Sequence, residues 1–412
     1  MEQIGPSKLR ESDRFWEKVG KWKGYGGSRV DKNERFCAVS MVKRFAWSVS
    51  LCNAVGFKDP RQVRYLDTAT VAATNWLKEV GVSLEEIRKL RNDDKVGWSG
   101  QWLHWQTQQP DKDADKCPDA AWKLIQRAKQ EAKRKAKETA NFRASPPTYY
   151  VILLLDGDNM GNLFQGTGGD WGVGVERYQK ISAALTSFAT KSVVEIVERH
   201  GGQLVYCGGD DILAFLPADT ALPAAIQLDE KFKEEMSDDT VSLSGGLTIV
   251  HYKEDLRYAM QLARRTEKSA KRIGVESGEP DSKNALAVTV CRHSGPDSTV
   301  VMGWDQARSL QPRIEDFSSD ATTRWAYQLR DELPTLQGLP DELPLAAGRA
   351  ELGRLLGRSE RVPEGFREDI DQLFGEYQKE LQLPGRNWAP SRILNGFVLL
   401  CQAAAFLSRA RD

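Results

Sequence analysis

Two short acidic motifs contain the residues best suited to chemistry in this chain. The first, Asp156-Gly157-Asp158, ends the apolar run Tyr150–Leu155, and the second, Gly208-Gly209-Asp210-Asp211, separates two further apolar runs. We predict that the second motif is the turn of a β-hairpin with two adjacent carboxylates at its tip. Carboxylates at the end of one strand and on a neighbouring hairpin can bind the same divalent cations, as nucleotidyl transfer requires.

This chemistry needs negative charge to be neutralised on both the attacking and the leaving oxygen. Two metal ions about 3.5–4 Å apart do this when carboxylates on rigid strands hold them. Asp156, Asp158, Asp210 and Asp211 are therefore candidate ligands for two Mg²⁺ or Mn²⁺ ions. Asp156, Asp210 and Asp211 are the candidate catalytic residues.

Glycines beside these carboxylates are candidate nucleotide-binding residues. Gly208 and Gly209 would let the backbone turn tightly and let a triphosphate approach without Cβ clashes, and Gly157 could do the same at the first motif. Either motif alone could be an ordinary turn. Two such motifs, each next to an apolar strand, favour a shared metal site.

A basic helix is predicted to supply the phosphate-binding cation. Lys268 and Lys271 lie three residues apart on the predicted helix Leu256–Ile273 and share a face. Either could contact a β- or γ-phosphate as a point charge, and the alternative for each is a solvated basic face. The chain has no Gly-x-x-x-x-Gly-Lys-Ser/Thr motif, which argues against a P-loop NTPase.

The elements that must position these residues alternate between strand and helix over residues 148–297. The predicted order is strand, helix, hairpin, helix, strand, helix and strand: Tyr150–Leu155, Tyr178–His200, Gln203–Leu216, Ala224–Glu235, Ser242–His251, Leu256–Ile273 and Ala285–Val290. The order βαββαβ is typical of the ferredoxin-like palm of polymerases and cyclases, an α+β fold. Many unrelated activities share that fold, so the order alone does not establish function.

The flanking regions have helical patterns. Residues 1–147 are polar and mostly helical, 148–297 form the predicted palm, and 298–412 form a predicted C-terminal helical domain. The charged run Lys123–Arg143 is interpreted as a solvated helix. Ser145-Pro146-Pro147 marks a domain boundary, because each proline disfavours helix in the residue before it.

Composition narrows the class of protein. Lysine plus arginine and aspartate plus glutamate both number 58 among 412 residues, so no overall charge attracts nucleic acid. The six cysteines are scattered singly, which favours a reducing compartment over a disulfide framework. No apolar run approaches the roughly 20 residues that span a bilayer. We therefore expect a cytoplasmic protein without a membrane partner.

The ordered motifs resemble the large polymerase/cyclase subunit of type III CRISPR effector complexes, most like the subtype III-B form. The matching stretches are Leu155–Gly161, Gly208–Pro217, Ser244–Lys253, Ala263-Arg264 with Ala270-Lys271, and Asn284–Val288, with weaker matches in Arg35–Arg44 and Leu66–Ala72. The resemblance is strong over about residues 148–297. The ordered set is specific, whereas Gly-Gly-Asp-Asp alone would not be.

The resemblance implies a palm that joins ATP into cyclic oligoadenylates, second messengers of antiviral defence, when the complex holds target RNA. It implies that Asp156 and Asp210 are metal ligands and that Lys271 contacts the triphosphate. Asp211 would complete the site as a ligand or by helping to activate the attacking 3′-hydroxyl. The implied partners are ATP, guide RNA and target RNA in a multi-subunit ribonucleoprotein, and other effector subunits or a second copy of this chain that supplies a second palm.

The chain also departs from this family. It has no His-Asp dipeptide, which defines the HD nuclease domain of many members, and it has isolated Cys37 and Cys117 where members usually carry a zinc site. No second palm pattern is evident within residues 1–147. Two alternatives therefore remain: an RNA-binding scaffold with an inactive palm, and a stand-alone nucleotide cyclase.

Overall fold

A computed structural model describes the following residues: 14–16, 38–56, 58, 65–93, 97–108, 117–139, 142–166, 171–238, 241–274, 283–292, 296–317, 320–340, 343–359 and 365–411. Cys37 and the start of the match at Arg35–Arg44 lie outside the described residues, as does most of the segment between Gly166 and Trp171. Backbone contacts divide the chain into two units: Met1–Leu66 with Glu85–Trp98, and Asp67–Leu84 with Ser99–Asp412.

The described part of the first unit is helical. Helix Ala38–Ala46 continues through a π-helical turn, Trp47–Leu51, into Cys52–Ala54. Most of helix Leu84–Asn92 also belongs to this unit, and Arg91 Nη1 donates a hydrogen bond to the Tyr65 carbonyl at 2.7 Å. The prediction of a mostly helical N-terminal region is confirmed for these residues.

The second unit contains a six-stranded sheet in the order β2-β3-β1-β4-β5-β6. The strands are β1 Tyr149–Asp158, β2 Gln203–Cys207, β3 Ile212–Pro217, β4 Ser242–His251, β5 Ala285–Val290 and β6 Ser298–Gly303. Neighbouring strands are antiparallel except β4 and β5, which are parallel. The first four strands have the ferredoxin-like order that the sequence predicts.

Strand β6 is an element that the sequence analysis missed. Residues 298–412 were expected to be helical, but Ser298–Gly303 pairs with β5 along its whole length. The run Ser-Thr-Val-Val-Met-Gly is short and rich in β-branched residues, a pattern that fits a strand. The palm sheet therefore extends beyond residue 297.

Helices cover the sheet and form the rest of this unit. Before β1 they are Thr68–Ala72, Thr74–Glu79, the 3₁₀ turn Gly100–His104 and Asp119–Glu138. Between the strands they are Met160–Gln165, Gly174–Ser187 continuing through the π turn Phe188–Ser192 into Val193–Arg199, Ala221–Met236 and Leu256–Lys271. After β6 they are Trp304–Leu310, the 3₁₀ turn Gln311–Phe317, Asp320–Gln337, Leu343–Arg358, Phe366–Leu381 and Pro390–Arg411.

Two of these helices differ from expectation. Helix Asp119–Glu138 is not solvated all round, because Ala121, Ile125, Ala128 and Ala132 form a buried stripe along it. The segment Pro390–Ser408 is long and apolar enough to span a membrane by length and composition, contrary to the sequence analysis. Since 72% of that segment is buried within the protein, it is placed as a core helix would be.

Gly246 allows the helix Leu256–Lys271, called here the lysine helix, to lie close to the sheet. A Cβ on Gly246 of β4 would lie 2.7 Å from Thr266 Cγ2 and 2.8 Å from the Glu267 nitrogen, so only glycine allows this approach. The buried Thr266 hydroxyl lies 3.0 Å from that of Thr248 on β4 and 2.7 Å from that of Thr289 on β5. This packing fixes the second half of the lysine helix against β4 and β5.

Candidate active site

The end of β1 presents two carboxylates on the face that the lysine helix covers. Side chains alternate along a strand, so Asp156 and Asp158 share that face. They pair in register with Ser244 and Ser242 of β4, on the same side as the helix. Their surroundings differ: the Asp156 side chain is 33% exposed, whereas Asp158 is buried.

The Gly-Gly-Asp-Asp motif forms the predicted hairpin turn. Cys207 and Ile212 form the last pair of β2 and β3, and the Gly208 N–H donates to the Asp211 carbonyl at 3.0 Å. Gly209 has φ of +92°, a left-handed conformation that favours glycine. The turn therefore needs this glycine for its backbone shape.

The hairpin carries its two aspartates to the end of β1. Leu155 pairs with Ile212 in the β1–β3 register, so Asp156 and Asp211 stand opposite each other one step further on. Their carboxyl groups share a hydrogen bond. A Cβ on Gly157 would lie 2.7 Å from Asp210 Cβ, so the glycine makes room for that aspartate. Asp156, Asp210 and Asp211 are called the carboxylate cluster below.

Crowded negative charge raises two pKa values in the cluster. The hydrogen bond with Asp156, partial burial and the charges of both other aspartates raise the pKa of Asp211 to about 7. Burial, followed by the charge of Asp156, raises the pKa of Asp210. Burial opposes ionisation of Asp156, but the hydrogen bond with Asp211 and the contact with Lys271 lower its pKa overall. At neutral pH the negative charge of this cluster is therefore incompletely neutralised, which makes the cluster a candidate site for a cation.

Lys271 is the cation that the fold brings to the cluster. Its Nζ forms an ion pair with Asp156 Oδ2, and it lies 2.9 Å from Glu267 Oε1 one turn earlier in the helix. Burial disfavours the ammonium, but the two carboxylates raise the pKa of Lys271 overall. The lysine therefore stays charged beside the carboxylates at neutral pH.

The other predicted phosphate-binding residues lie in different surroundings. Lys268 is exposed and makes no ion pair with any residue that the structure describes. Gly208 is exposed, and a Cβ there would lie 2.1 Å from the Tyr206 hydroxyl oxygen. Tyr206 is an exposed side chain that can move, so this contact does not require glycine at position 208, whereas contact with Asp210 accounts for Gly157. The nucleotide-binding roles of Lys268 and of the three glycines stay predictions.

Asp158 is held by the fold rather than joined to the cluster. Its Oδ2 accepts hydrogen bonds from Ser242 Oγ at 2.8 Å, Ser244 Oγ at 2.6 Å and the Asn284 N–H at 3.0 Å. Burial raises its pKa although these three donors favour the charged form. The group formed by Asp158, Ser242, Ser244 and Asn284, called the Asp158 anchor below, ties the end of β1 to the starts of β4 and β5. The metal-ligand role of Asp158 stays a prediction.

Several residues of this region were not singled out from the sequence. Glu267 follows the i, i+4 spacing to Lys271, a signal that the sequence does contain. Asn284 begins the matched stretch Asn284–Val288 but was given no role; its φ of +57° is a conformation that asparagine tolerates better than most residues. Lys283 Nζ lies 3.4 Å from Asn159 Oδ1, beside the end of β1.

The donor types of the carboxylate cluster fit a divalent metal ion. Mg²⁺ and Mn²⁺ prefer carboxylate oxygens, and a cation would relieve the repulsion that raises the pKa values of Asp210 and Asp211. The arrangement is not preformed, since no group of three or more His, Cys, Asp or Glu within the described ranges is already placed to hold a metal. The cluster therefore fits a divalent metal ion in the type and charge of its donor groups, but not yet in their geometry.

The sheet order and the acidic hairpin beside the central strand define the class of domain as a palm. Residues 149–287 match the family model of the Cas10/Cmr2 second palm domain. The resemblance to the large subunit of type III CRISPR complexes is thereby confirmed for the palm region.

Comparison with individual proteins gives the extent of the similarity. The chain is 26% identical over 313 residues to CRISPR system Cmr subunit Cmr2 of Pyrococcus furiosus, a match that covers 66% of this chain and 34% of that protein. The chain thus spans about a third of the length of that curated relative.

Solved structures give more distant matches. A chain in the structure of Type III-B Cmr-beta bound to cognate target RNA is 13% identical, with a TM-score of 0.46, and the match covers 89% of this chain and 51% of that chain. Csm1 of T. onnurineus is 16% identical, with a TM-score of 0.38 and coverages of 61% and 38%.

Proposed function

We propose that this chain is a metal-dependent nucleotidyltransferase that converts ATP into cyclic oligoadenylates and pyrophosphate. The observation that carries the proposal is the convergence of Asp156, Asp210 and Asp211 with Lys271 at the end of β1. A palm domain of the Cas10/Cmr2 type supports it. The preference for adenine follows from the family resemblance.

Each residue has a distinct part in the proposed reaction. The 3′-oxygen of one ATP forms a bond to the α-phosphorus of another, and the bond from that phosphorus to the pyrophosphate oxygen breaks. Asp156 and Asp210 would hold Mg²⁺ or Mn²⁺, which supplies charge neutralisation on the attacking and leaving oxygens when bound. Asp211 would complete this ligand set or accept the proton of the attacking hydroxyl.

Lys271 would change partners when substrate binds. In the structure its ammonium neutralises Asp156 and Glu267. The oxygens of a triphosphate beside the cluster carry more negative charge than a carboxylate does. The Lys271 ammonium would therefore bind them and orient the leaving pyrophosphate. Glu267 remains one turn away and would keep the lysine near the site.

We propose further that the chain works in the cytoplasm within a type III CRISPR ribonucleoprotein. Guide RNA, target RNA and other effector subunits would be its partners, and another subunit or a second copy of the chain would supply the second ATP site. The similarity to the Cmr subunit Cmr2 of Pyrococcus furiosus supports this assignment. Target RNA would act as the trigger.

The test incubates the purified chain with α-labelled ATP and Mn²⁺, with and without a guide–target RNA complex and candidate partner subunits. Products are analysed by mass spectrometry. An Asp210→Ala/Asp211→Ala variant runs in parallel, with Arg265→Gln, an exposed position on the lysine helix, as a matched control.

Cyclic oligoadenylates that the control variant makes and the double aspartate variant does not would support both the activity and the site. Product that requires the RNA complex would support the CRISPR assignment, whereas product from the chain alone would favour a stand-alone cyclase. Absence of product under every condition, with ATP still bound, would overturn the proposal in favour of a scaffold with an inactive palm.

A further inference from the structure

A cavity lies on the side of the lysine helix that does not carry Lys271. It has a volume of about 400 Å³ and is lined by the end of that helix, by β6 and by helix Pro390–Arg411. Ligand pockets in proteins have volumes of about 300–1,000 Å³, so a mononucleotide is of suitable size.

The charged residues that line this cavity are both positive. Arg272 and Arg392 line it, and no carboxylate is among its described lining residues. Arg272 is exposed and forms no ion pair with any described residue. Two guanidinium groups in a cavity without a carboxylate among its described lining residues favour an anionic ligand, because a guanidinium can form charge-assisted hydrogen bonds with phosphate oxygens.

One of these guanidinium groups is held in place before any ligand arrives. Arg392 stacks on the ring of Trp388, with 3.6 Å from the guanidinium carbon to the ring centroid. The Trp388 indole N–H donates to the Ile273 carbonyl at 2.7 Å, which fixes the ring. A stacked, planar guanidinium loses little conformational entropy on binding and can pair with two phosphate oxygens at once.

Neutral groups complete the cavity. Asn395 presents an amide, a group that can accept and donate hydrogen bonds to a sugar or a base. The hydroxyls of Ser269 and Thr299 already bond within the fold, to the Arg265 carbonyl at 3.0 Å and to Thr289 at 2.8 Å. Recognition would therefore rest on the two arginines and Asn395.

This cavity is distinct from the carboxylate cluster. Ser269 and Arg272 are three residues apart and share one face of the helix end, whereas Glu267 and Lys271 are four apart and share another. Lys271 contacts the cluster, and Arg272 lines the cavity. The inference therefore does not depend on the proposed nucleotidyl transfer.

We propose that this cavity is a binding site for a phosphate-bearing ligand of mononucleotide size. Arg272 and Arg392 bind the phosphate, and Asn395 contacts the remainder of the ligand. No metal ion is needed, because the two guanidinium groups supply the positive charge.

The test measures binding of AMP and of inorganic phosphate to the full chain by calorimetry in EDTA. Removing divalent metal separates this site from the carboxylate cluster. In parallel, 8-azido-AMP is photo-crosslinked to the chain and the labelled peptides are sequenced. The variants are Arg272→Gln, the double variant Arg272→Gln/Arg392→Gln, and the matched control Arg265→Gln, which lies outside the cavity.

We expect AMP to bind in EDTA and the label to fall within residues 388–399 or beside Arg272. Arg272→Gln should weaken binding about tenfold and the double variant more, because each loses a charge-assisted contact. Arg265→Gln should leave binding unchanged.

Unaltered AMP affinity in Arg272→Gln would overturn the proposal, and this variant guards against misfolding because Arg272 is exposed. Label confined to the region of Asp156 and Asp210 would also overturn it. Binding of inorganic phosphate without binding of AMP would refute the mononucleotide assignment.

Discussion

The carboxylate cluster and the Asp158 anchor lie at the same end of β1, but they surround an aspartate side chain with opposite kinds of neighbour. In the cluster, Asp156 and Asp211 meet each other, Lys271 forms an ion pair with Asp156, and the charge of Lys283 also lowers the pKa of Asp156. In the anchor, Asp158 Oδ2 accepts hydrogen bonds from three donors, and no other carboxylate among the described residues contributes to its pKa shift. Only two positions along the strand separate Asp156 from Asp158.

This difference in surroundings predicts different roles for Asp156 and Asp158. Three donors converge on Asp158 Oδ2, which offsets part of the cost of burying this charge, whereas its Oδ1 is buried without a hydrogen-bond partner among the described residues. The cluster instead keeps like charges together, which costs stability and is retained where the charges bind a ligand. Partner type thus separates the two aspartates better than the motif Asp-Gly-Asp does.

The largest effect is expected from Lys271→Met. We expect nucleotidyl transfer to fall about 10²- to 10³-fold, because removing one preorganised charge at a reacting phosphate commonly has this effect. Lys268→Met should reduce the rate much less, since Lys268 is exposed and does not contact the cluster. Initial rates with labelled ATP measure both variants. Equal losses would show that the two lysines act alike.

Asp158→Ala should lower the free energy of unfolding, whereas Asp211→Ala should not. The first leaves Ser242, Ser244 and the Asn284 N–H without their acceptor, so we expect the free energy of unfolding to fall by about 2–3 kcal/mol. The second removes a repelled, exposed carboxyl group and should leave stability unchanged or slightly higher. Urea denaturation measures both. A loss in Asp211→Ala as large as in Asp158→Ala would contradict the comparison.

Gly157→Ala tests how closely Asp210 packs on β1. The new methyl group would lie 2.7 Å from Asp210 Cβ and 2.8 Å from Met160 Cγ, so one of them must move. We expect a loss of about 1–3 kcal/mol and a fall in activity. Gly161→Ala is the matched control, because nothing lies within 4 Å of a Cβ there. Activity unchanged in Gly157→Ala would mean that the position of Asp210 does not matter.

The smallest effect concerns pH. Because the pKa of Asp211 is raised to about 7, the folded chain keeps a proton that the unfolded chain releases near pH 4. Stability should therefore fall as pH rises from about 4 to about 7, relative to Asp211→Asn. Asp211 is exposed and solvent screens its interactions, so we expect a difference of about 1 kcal/mol. Denaturation curves at pH 5 and pH 8 measure it, and a difference of opposite sign would contradict the assigned shift.

Local sequence patterns were sufficient to predict the central fold and the hairpin that brings Asp210 and Asp211 to the end of β1. Apolar runs of strand length around Gly208-Gly209 predicted the hairpin, and the run Tyr150–Leu155 predicted β1. These signals are local, because strand length, turn residues and helix spacing are all set by neighbouring residues. The short strand Ser298–Gly303 was missed, since its six residues lie among helical patterns.

Features that depend on distant residues could not be predicted in this way. Ser242 and Ser244 reach Asp158 only because β4 pairs with β1, more than 80 residues away along the chain. Likewise, Gly157 is explained by Asp210, which the hairpin brings from another part of the sequence. The motif Asp-Gly-Asp therefore indicated a candidate site without showing which of its two carboxylates accepts hydrogen bonds from β4.

The most direct test of the central claim is Mn²⁺ binding in the presence of ATP, followed by electron paramagnetic resonance. The wild-type chain is compared with Asp156→Asn and Asp158→Asn, each checked for folding by thermal melting. We predict that Asp156→Asn weakens Mn²⁺ binding at least about tenfold, since a charged ligand is lost. Asp158→Asn, which keeps one oxygen acceptor, should bind within about threefold of wild type. Wild-type affinity in Asp156→Asn, or loss of binding in a folded Asp158→Asn, would contradict the assignment of the metal site to the carboxylate cluster.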